Sequence, residues 1–264
     1  MQPPIIRFTD GAAYERFMGR WSQRVGHAFL DWLAPAQGAR WLDVGCGNGA
    51  FTELVAQRCQ PALLHGIDPS EAQLAFARQQ SAIQGAHFQV ADAMALPFGA
   101  ASFDVAVMPL VIFFVPQPAV GVAEMVRVVA PGGWVTAYAW DMHGGGFPYA
   151  PVRQVLQSLG ATLASPPSPE ASRVEALQAL WAEAGLQSIE TRTIGVERTF
   201  DSFDDYWETI LLGPSIQPTL ATLTDEQRVQ MKAMLQACLP APDAQGRIIC
   251  QATAHAVKGR VSAL

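Results

Sequence analysis

The residues of this chain with the clearest potential for chemistry are three closely spaced glycines and two acids. Residues 42–49 read Leu-Asp-Val-Gly-Cys-Gly-Asn-Gly, so an apolar run containing Asp43 leads directly into three alternating glycines. Glycines at such a bend let the backbone turn tightly and approach a ligand, because no Cβ occupies that space. A second acid, Asp68, ends the next apolar run. This arrangement predicts a site for a nucleotide-type cofactor, with the amides of the following helix directed at the bend.

Two cofactor families are compatible with this spacing. The segment Gly45-x-Gly47-x-x-Ala50, with an acid about 20 residues further on, also satisfies the loosened fingerprint of dinucleotide-binding enzymes. In those enzymes the position of Asp43 is ordinarily apolar, since a negative charge there would face a pyrophosphate. Asp43 therefore favours a cationic ligand, although the spacing alone leaves an NAD(P)-dependent oxidoreductase open.

Four further segments occur in the order that is typical of one enzyme family. They are Gly66-Ile67-Asp68-Pro69-Ser70, Val90 to Phe98, Ser102-Phe103-Asp104-Val105, and Glu124 to Gly133 with its Pro-Gly-Gly turn. Together with residues 43–49, they resemble the class I S-adenosylmethionine (SAM) dependent methyltransferases, in particular the methyltransferase type 11 and quinone-biosynthesis group. The resemblance covers residues 41–141. It implies methyl transfer from SAM to a small molecule, with S-adenosylhomocysteine as the product.

The composition fits a globular enzyme and disfavours several other classes. The chain has 264 residues, 50% of them apolar, with a net charge of −6 and a pI near 5.3. Its lysines are Lys232 and Lys258, and no basic run is present, so nucleic acid is not an expected partner. The cysteines and histidines show no metal-ligand spacing. We expect no metal site, no membrane span and no secretory signal, and therefore a cytoplasmic protein with a small-molecule substrate.

Alternating strand and helix patterns predict an α/β fold, in which a mainly parallel, doubly wound sheet has helices on both faces. The seven expected strands are residues 40–45, 62–68, 86–91, 103–108, 133–140, 187–198 and 247–257. The resemblance implies a Rossmann-like order with the last strand antiparallel and inserted beside the fifth. We interpret residues 1–264 as a single class I methyltransferase domain. Within it, residues 1–35 form an N-terminal covering helix, 36–141 the SAM-binding core and 199–246 an inserted helical lid.

The resemblance also implies which residues hold each part of SAM. The backbone of Gly45, Cys46 and Gly47 would hold the methionine portion, and Asp43 would orient the loop or the ammonium group. Asp68 would accept hydrogen bonds from the ribose hydroxyls, an arrangement that suits an ionised carboxylate. The remaining implied contacts are Pro69 beside the adenine, Asp92 and Ala93 at its amino edge, Met108 and Pro109 beside the methionine, and Tyr14 closing over the cofactor.

The expected reaction is an in-line displacement, for which orientation and exclusion of water supply much of the acceleration. A base is needed only if the acceptor must lose a proton. Related enzymes often carry a His pair just after the fourth strand, whereas this chain has Phe113-Phe114 there. Asp141 and His143, which follow the fifth strand, are therefore the candidate catalytic residues.

A group of aromatic residues could line an apolar acceptor pocket. The candidates are Phe113, Phe147, Tyr149, Tyr206 and Trp207. They favour a small, partly aromatic or lipophilic acceptor, although the same residues equally suit core packing. The acceptor, the methylated atom (carbon, oxygen or nitrogen) and the oligomeric state stay open. Because the His pair is missing, a noncatalytic SAM-binding regulatory protein is a further alternative.

Overall fold

Seven strands form one sheet in the computed structural model, which describes residues 15–161, 163–213 and 216–263. The strands are β1 Arg40–Val44, β2 Leu63–Asp68, β3 His87–Val90, β4 Phe103–Pro109, β5 Val129–Trp140, β6 Gln187–Phe200 and β7 Ile248–Arg260. Their order is β3-β2-β1-β4-β5-β7-β6. In the spatial series β3-β2-β1-β4-β5, every pair of neighbouring strands is parallel. Strand β7 is antiparallel to both β5 and β6. The predicted fold is confirmed, including the antiparallel last strand beside the fifth.

Helices surround this sheet and connect most of its strands. They are α1 Arg20–Leu33, α2 Ala50–Cys59, α3 Glu71–Gln79, α4 Pro118–Val128, α5 Ala150–Ser158, α6 Val174–Glu183, α7 Phe203–Ile210, α8 Gln217–Leu220 and α9 Asp225–Cys238. A π-helix, Glu15–Gly19, leads directly into α1. Short 3-10 turns occupy Ser81–Ile83, Ile112–Phe114 and Pro169–Ser172. Among the described residues, no helix has both the length and the hydropathy to cross a membrane.

The central strands have the near-continuous apolar sequences that a sheet covered on both faces requires. In β1, Trp41, Leu42 and Val44 are fully buried, and in β4 the same is true of Val107 and Met108. A single apolar cluster contains these residues and the inward faces of the helices. This core fixes the positions at which the central strands end.

The ends of the strands bring the predicted functional residues to one edge of the sheet. Because β1, β2, β4 and β5 are parallel, the segments that follow Val44, Asp68, Pro109 and Trp140 all leave the sheet at its carboxyl edge. Ligands of open α/β sheets bind at this edge. Since β7 is antiparallel to β6, helices α7 to α9 also begin and end there.

The segments at this edge are tied to one another by polar and aromatic contacts. The Tyr149 hydroxyl donates to the Phe17 carbonyl at 2.6 Å, and the buried Arg198 guanidinium donates to the same carbonyl at 3.0 Å. The Phe17 and Tyr149 rings are stacked, with their centroids 4.2 Å apart. Arg16 lies 3.4 Å from a carboxylate oxygen of Glu208 on α7. The π-helix is thus connected to the residue that precedes α5, to β6 and to α7.

Candidate functional site

The glycine-rich loop after β1 is held against the end of β2 by backbone hydrogen bonds. The N–H groups of Gly45 and Cys46 both donate to the Ile67 carbonyl, at 2.7 and 2.9 Å. The N–H group of Gly49 donates back to the Cys46 carbonyl at 2.9 Å. These bonds require Gly45, Gly47 and Gly49 to adopt positive φ angles of 77°, 53° and 86°, a region that favours glycine. The loop is therefore a compact turn rather than an open strand connection.

Two of these glycines are required for different reasons. A Cβ at Gly45 would lie 2.5 Å from the Val111 side chain, so this position has no space for a larger residue. A Cβ at Gly47 would meet no described atom within 4 Å, and Gly47 lines an adjacent cavity. Gly45 therefore allows the loop to pack against the segment after β4. Gly47 leaves space for a ligand to approach the backbone.

Asp68 connects this loop to the start of α3. Its Oδ2 accepts the Gly47 N–H at 3.0 Å, and its Oδ1 accepts the Ser70 N–H at 2.8 Å. Burial raises the pKa of the Asp68 carboxyl, and these two N–H groups oppose that effect. Each carboxylate oxygen can still accept one more hydrogen bond. The side chain is therefore positioned by the fold and retains acceptor capacity for a ligand.

A cavity of about 460 Å³ lies at the carboxyl edge, bounded by the glycine-rich loop and the ends of β2, β4 and β5. The predicted cofactor residues that line it are Gly45, Cys46, Gly47, Asp68, Pro69 and Pro109. The Cys46 sulfur packs beside Gly66, where an added Cβ would be 2.8 Å away, and burial raises the pKa of the thiol well above its ordinary value. The sequence therefore predicted residues of the loop and of the ends of β2 and β4. The structure places these residues around one cavity.

Asp43 is close to this site, but it is not among the described residues that line the cavity. Its carboxylate is fully buried, and its Oδ2 accepts a hydrogen bond from the Thr52 hydroxyl of α2 at 2.7 Å. Its Oδ1 has no hydrogen-bond partner among the described residues. Burial raises the pKa of Asp43 to about 7; the Thr52 hydrogen bond opposes this increase and the negative charge of Asp68 adds to it. The observed contact connects β1 to the helix that follows the loop.

Three other predicted cofactor residues are placed outside the cavity lining. Met108 is fully buried, and its methyl group lies near Gly121 of α4. Asp92 is exposed, and its Oδ1 accepts the Met94 N–H at 2.8 Å in a turn that also contains Ala93. Tyr14 lies outside the described residues. The predicted contacts of these residues with SAM stay predictions.

The predicted acceptor residues are mostly core residues of the layer above the sheet. Tyr149 and Tyr206 are fully buried, and their ring centroids are 6.2 Å apart. Phe147 packs edge-on against Tyr149, and Phe113 is also buried. Trp207 is stacked on Phe203 at the outer part of α7. Of the described residues that line the cavity, none belongs to this predicted set.

The candidate base residues line a second hollow. Asp141 Oδ1 accepts the N–H groups of His143 and Gly144, and the His143 Nε2 lies 3.2 Å from a Glu170 carboxylate oxygen. This hollow also includes His255, and within the described part of the chain its lining shares no residue with the first cavity. The structure therefore brings Asp141 and His143 together, but not beside the glycine-rich loop.

Several cavity residues were not predicted from the sequence. Leu110, Val111 and Phe114 follow β4, Tyr138 belongs to β5, and Ser22 belongs to α1. Leu110 has a φ of 62°, a strained value for leucine, while its N–H donates to the Tyr138 carbonyl at 2.7 Å.

Some of these positions had a usable sequence signal. Pro109 and Tyr138 are paired in the parallel register of β4 and β5, so a register model would have placed Tyr138 beside the predicted Pro109. The 3-10 turn decides that Phe114, rather than Phe113, reaches the cavity. No sequence pattern separates the two phenylalanines, because a single turn has too few residues to define a phase.

Residues 42–137 match the methyltransferase domain family. This segment is similar to a methyltransferase domain, as its sequence motifs indicated. The matched range begins one residue before Asp43 and ends one residue before Tyr138, so it includes the glycine-rich loop, Asp68 and Pro109. The methyltransferase domain thus contains the central part of the cavity but not the helices α7 to α9.

Curated relatives align with the same part of the methyltransferase domain. The fatty-acid O-methyltransferase of Mycolicibacterium smegmatis is 34% identical over 117 residues, which are 44% of this chain and 42% of that protein. The ubiquinone biosynthesis O-methyltransferase of Paracidovorax citrulli is 35% identical over 111 residues, which are 40% of this chain and 46% of that protein. The matched segment spans less than half the length of each relative.

Solved methyltransferase structures share the fold over a longer range. Phosphoethanolamine N-methyltransferase 2 of Haemonchus contortus, solved in complex with SAM, superposes with a TM-score of 0.56 at 20% identity. The superposition covers 95% of this chain and 56% of that chain. At this identity the similarity establishes the fold of the methyltransferase domain.

Substitution of Gly47 by alanine should separate backbone strain from loss of ligand space. Gly47 and Gly38 both have positive φ angles (53° and 73°), and an added Cβ meets no described atom within 4 Å at either position. Each Gly→Ala change should therefore cost about 1–2 kcal/mol of stability. Gly47→Ala should also weaken binding of S-adenosylhomocysteine by about tenfold or more. Isothermal calorimetry checks this result, with Gly38→Ala as the matched control; equal affinities for the two variants would contradict it.

The buried carboxyl of Asp43 should make stability depend on pH. Its folded pKa of about 7 exceeds the reference value of 3.8, so the folded state binds the proton more tightly than the unfolded state. Stability should therefore fall as pH rises between about pH 4 and pH 7, by up to about 4 kcal/mol. Asp43→Asn removes this dependence. Urea unfolding at several pH values measures the free energy of unfolding. As pH rises, this free energy should increase for the variant relative to the wild type.

The control for this experiment is an exposed acid. Asp201 is exposed at the start of the segment after β6, so Asp201→Asn should leave the pH dependence of unfolding unchanged. If Asp43→Asn and the wild type keep a constant stability difference from about pH 4 to pH 8, then Asp43 does not titrate in this range.

Proposed function

We propose that this protein transfers the methyl group of SAM to a small, partly apolar acceptor. The observation that carries the proposal is the composition of one cavity. On one side lie the glycine-rich loop and Asp68, and on the other lie Leu110, Val111 and Phe114. A polar cofactor end and an apolar acceptor end thus meet in a space of about 460 Å³, within the size range of small-molecule sites.

The residues of the polar end fit SAM. Gly47 leaves space for a ligand against the loop backbone, and Asp68 retains acceptor capacity on both carboxylate oxygens. The Ser22 hydroxyl, on the cavity wall, is buried without a hydrogen-bond partner among the described residues. No lysine or arginine is among the described residues that line the cavity, which disfavours a pyrophosphate. We assign Asp68 to the ribose hydroxyls, Pro69 to the adenine and the backbone of Gly45–Gly47 to the methionine portion.

The apolar end supports a lipophilic acceptor. Leu110, Val111, Phe114 and Phe51 present hydrocarbon surface to the cavity. One relative is named a fatty-acid O-methyltransferase, and a fatty acid is a lipophilic acceptor. We further propose that residues 199–246, which contain α7 to α9, act as a lid over this end of the cavity.

SAM would supply an electrophilic methyl group on a sulfonium. The chain's own residues would then contribute orientation: the loop amides fix the cofactor end, and Asp68 fixes the ribose. The apolar wall would exclude water and hold the acceptor in line with the methyl group. The titratable side chains among the described residues of the cavity wall are Cys46, Asp68 and Tyr138. Since Asp68 is assigned to the ribose, the base would be Tyr138 or a residue outside this wall. No base is needed if the acceptor is already ionised.

Asp68→Ala should test the cofactor assignment. The variant loses paired hydrogen bonds to a charged group, so affinity for S-adenosylhomocysteine should fall by about 10²–10⁴. Calorimetry measures the affinity, and urea unfolding shows whether the variant remains folded. An unchanged affinity would reject the assignment. Thermal stabilisation of the wild type by NAD(H) or NADP(H), and not by SAM, would instead favour the oxidoreductase alternative.

His143→Ala should test the prediction, made from the sequence, that Asp141 and His143 supply the base. A residue that removes the acceptor's proton contributes about 10²–10⁴ to turnover. Because His143 lines the second hollow, we expect kcat of the variant to stay within about threefold of the wild type. Glu170→Gln is the matched control, since it removes the carboxylate beside His143 and keeps the imidazole. A loss of about hundredfold in His143→Ala, but not in Glu170→Gln, would support the base role.

A further inference from the structure

The N-terminal helix carries a hydroxyl on the cavity wall that makes no hydrogen bond with the described residues. Ser22 lies in the first turn of α1 and lines the cavity beside the glycine-rich loop. Its Oγ atom is buried and makes no hydrogen bond with any described residue. A buried hydroxyl without a partner is destabilising, so such groups usually have a protein, water or ligand partner. This position therefore indicates a polar group of a ligand opposite Ser22.

An acid of the π-helix that precedes α1, Glu15, is held against the glycine-rich loop. Gln23 donates to the Glu15 carboxylate at 3.3 Å, and Asn48 of the loop also hydrogen bonds with it. Burial raises the pKa of Glu15, and Glu53 adds to this increase, while the Asn48 hydrogen bond and Arg20 oppose it. Within the part of the chain that the structure describes, Glu15 has no ion-pair partner. The carboxylate thus lies beside the glycine-rich loop, with the charge of Arg20 near it but no ion pair with a described residue.

The two residues are connected through Gln23. Glu15 lies in the π-helix and Ser22 in the first turn of α1, and the side chain of Gln23, the residue after Ser22, donates to the Glu15 carboxylate. Ser22 lines the cavity, and Glu15 contacts Asn48, which also lines it. A hydroxyl and a carboxylate are therefore presented together toward the same part of the loop.

These two residues lie on the side of the loop opposite Asp68. One turn after Ser22, a Cβ at Gly26 would be 3.3 Å from the Phe51 ring and 3.4 Å from the Tyr138 hydroxyl. Helix α1 thus packs near the β5 side of β1, whereas β2 and Asp68 neighbour β1 on its other side. A ligand that gives its ribose to Asp68 would extend its other end toward α1.

We propose that Glu15 and Ser22 bind the α-amino acid end of SAM, and this assignment rests on the proposed function. Glu15 accepts hydrogen bonds from the α-ammonium group, and the Ser22 hydroxyl donates to the α-carboxylate. The two residues would thereby complement both charges of a zwitterion. The N-terminal helix is then a part of the cofactor site as well as a cover over the sheet.

Ligands that differ at this end provide the test. S-adenosylhomocysteine carries the amino acid end, whereas 5′-methylthioadenosine keeps only the adenine, the ribose and the thioether. Calorimetry should show that Ser22→Ala and Glu15→Gln each weaken S-adenosylhomocysteine binding by about tenfold to hundredfold. Binding of 5′-methylthioadenosine should stay within about twofold of the wild type. Arg24→Gln, at an exposed position of the same helix, should change neither affinity.

A third ligand separates the two roles. Decarboxylated S-adenosylhomocysteine keeps the amine, so Glu15→Gln should still weaken its binding and Ser22→Ala should not. The assignment is overturned if both variants bind S-adenosylhomocysteine as the wild type does, or if both ligands lose affinity equally. If the wild type binds neither S-adenosylhomocysteine nor 5′-methylthioadenosine, the proposed function itself fails, and the assignment fails with it.

Discussion

The hydrogen bonds of the Asp68 carboxylate are the interaction on which the proposed cofactor site depends. One of its oxygens accepts the N–H of Gly47 and the other accepts the N–H of Ser70, so a single side chain joins the end of β2 to the glycine-rich loop and to the start of α3. Burying a carboxylate is costly, and these two N–H groups offset part of that cost. The site is therefore organised before a ligand binds, because its main polar contact is also a structural one.

Two acids near the loop differ in their tendency to ionise because their surroundings differ. Asp43 is fully buried behind the loop, and its pKa of about 7 leaves the carboxyl partly protonated near neutral pH. Asp68 borders the cavity, and its two N–H contacts favour the ionised form. The preference for a cationic ligand over a pyrophosphate, which the sequence suggested through Asp43, is thus better explained by Asp68. The charge of Asp68 in turn raises the pKa of Asp43.

The sequence predicted those parts of the molecule that local patterns determine. The glycines of the loop, Asp68 and Pro109 follow predicted strands, and parallel strands must end at one edge, so their convergence could be derived. Ser22 and Phe114 could not be predicted, because their contact with the cavity depends on the packing of α1 and on the phase of one 3-10 turn. Local patterns contain no information about either property.

The acceptor side shows why aromatic residues in a covering layer are poor guides to a pocket. This layer is built from the π-helix, the segment before α5, the end of β6 and α7, which are far apart in the chain. The layer has an apolar interior of its own. This interior consists of the stacked Phe17 and Tyr149 rings and the fully buried Tyr206. Arg198 reinforces this interior by donating to the Phe17 carbonyl and the Tyr149 hydroxyl. The aromatic residues of this layer therefore hold it together, and much of the apolar cavity wall is formed instead by the residues that follow β4.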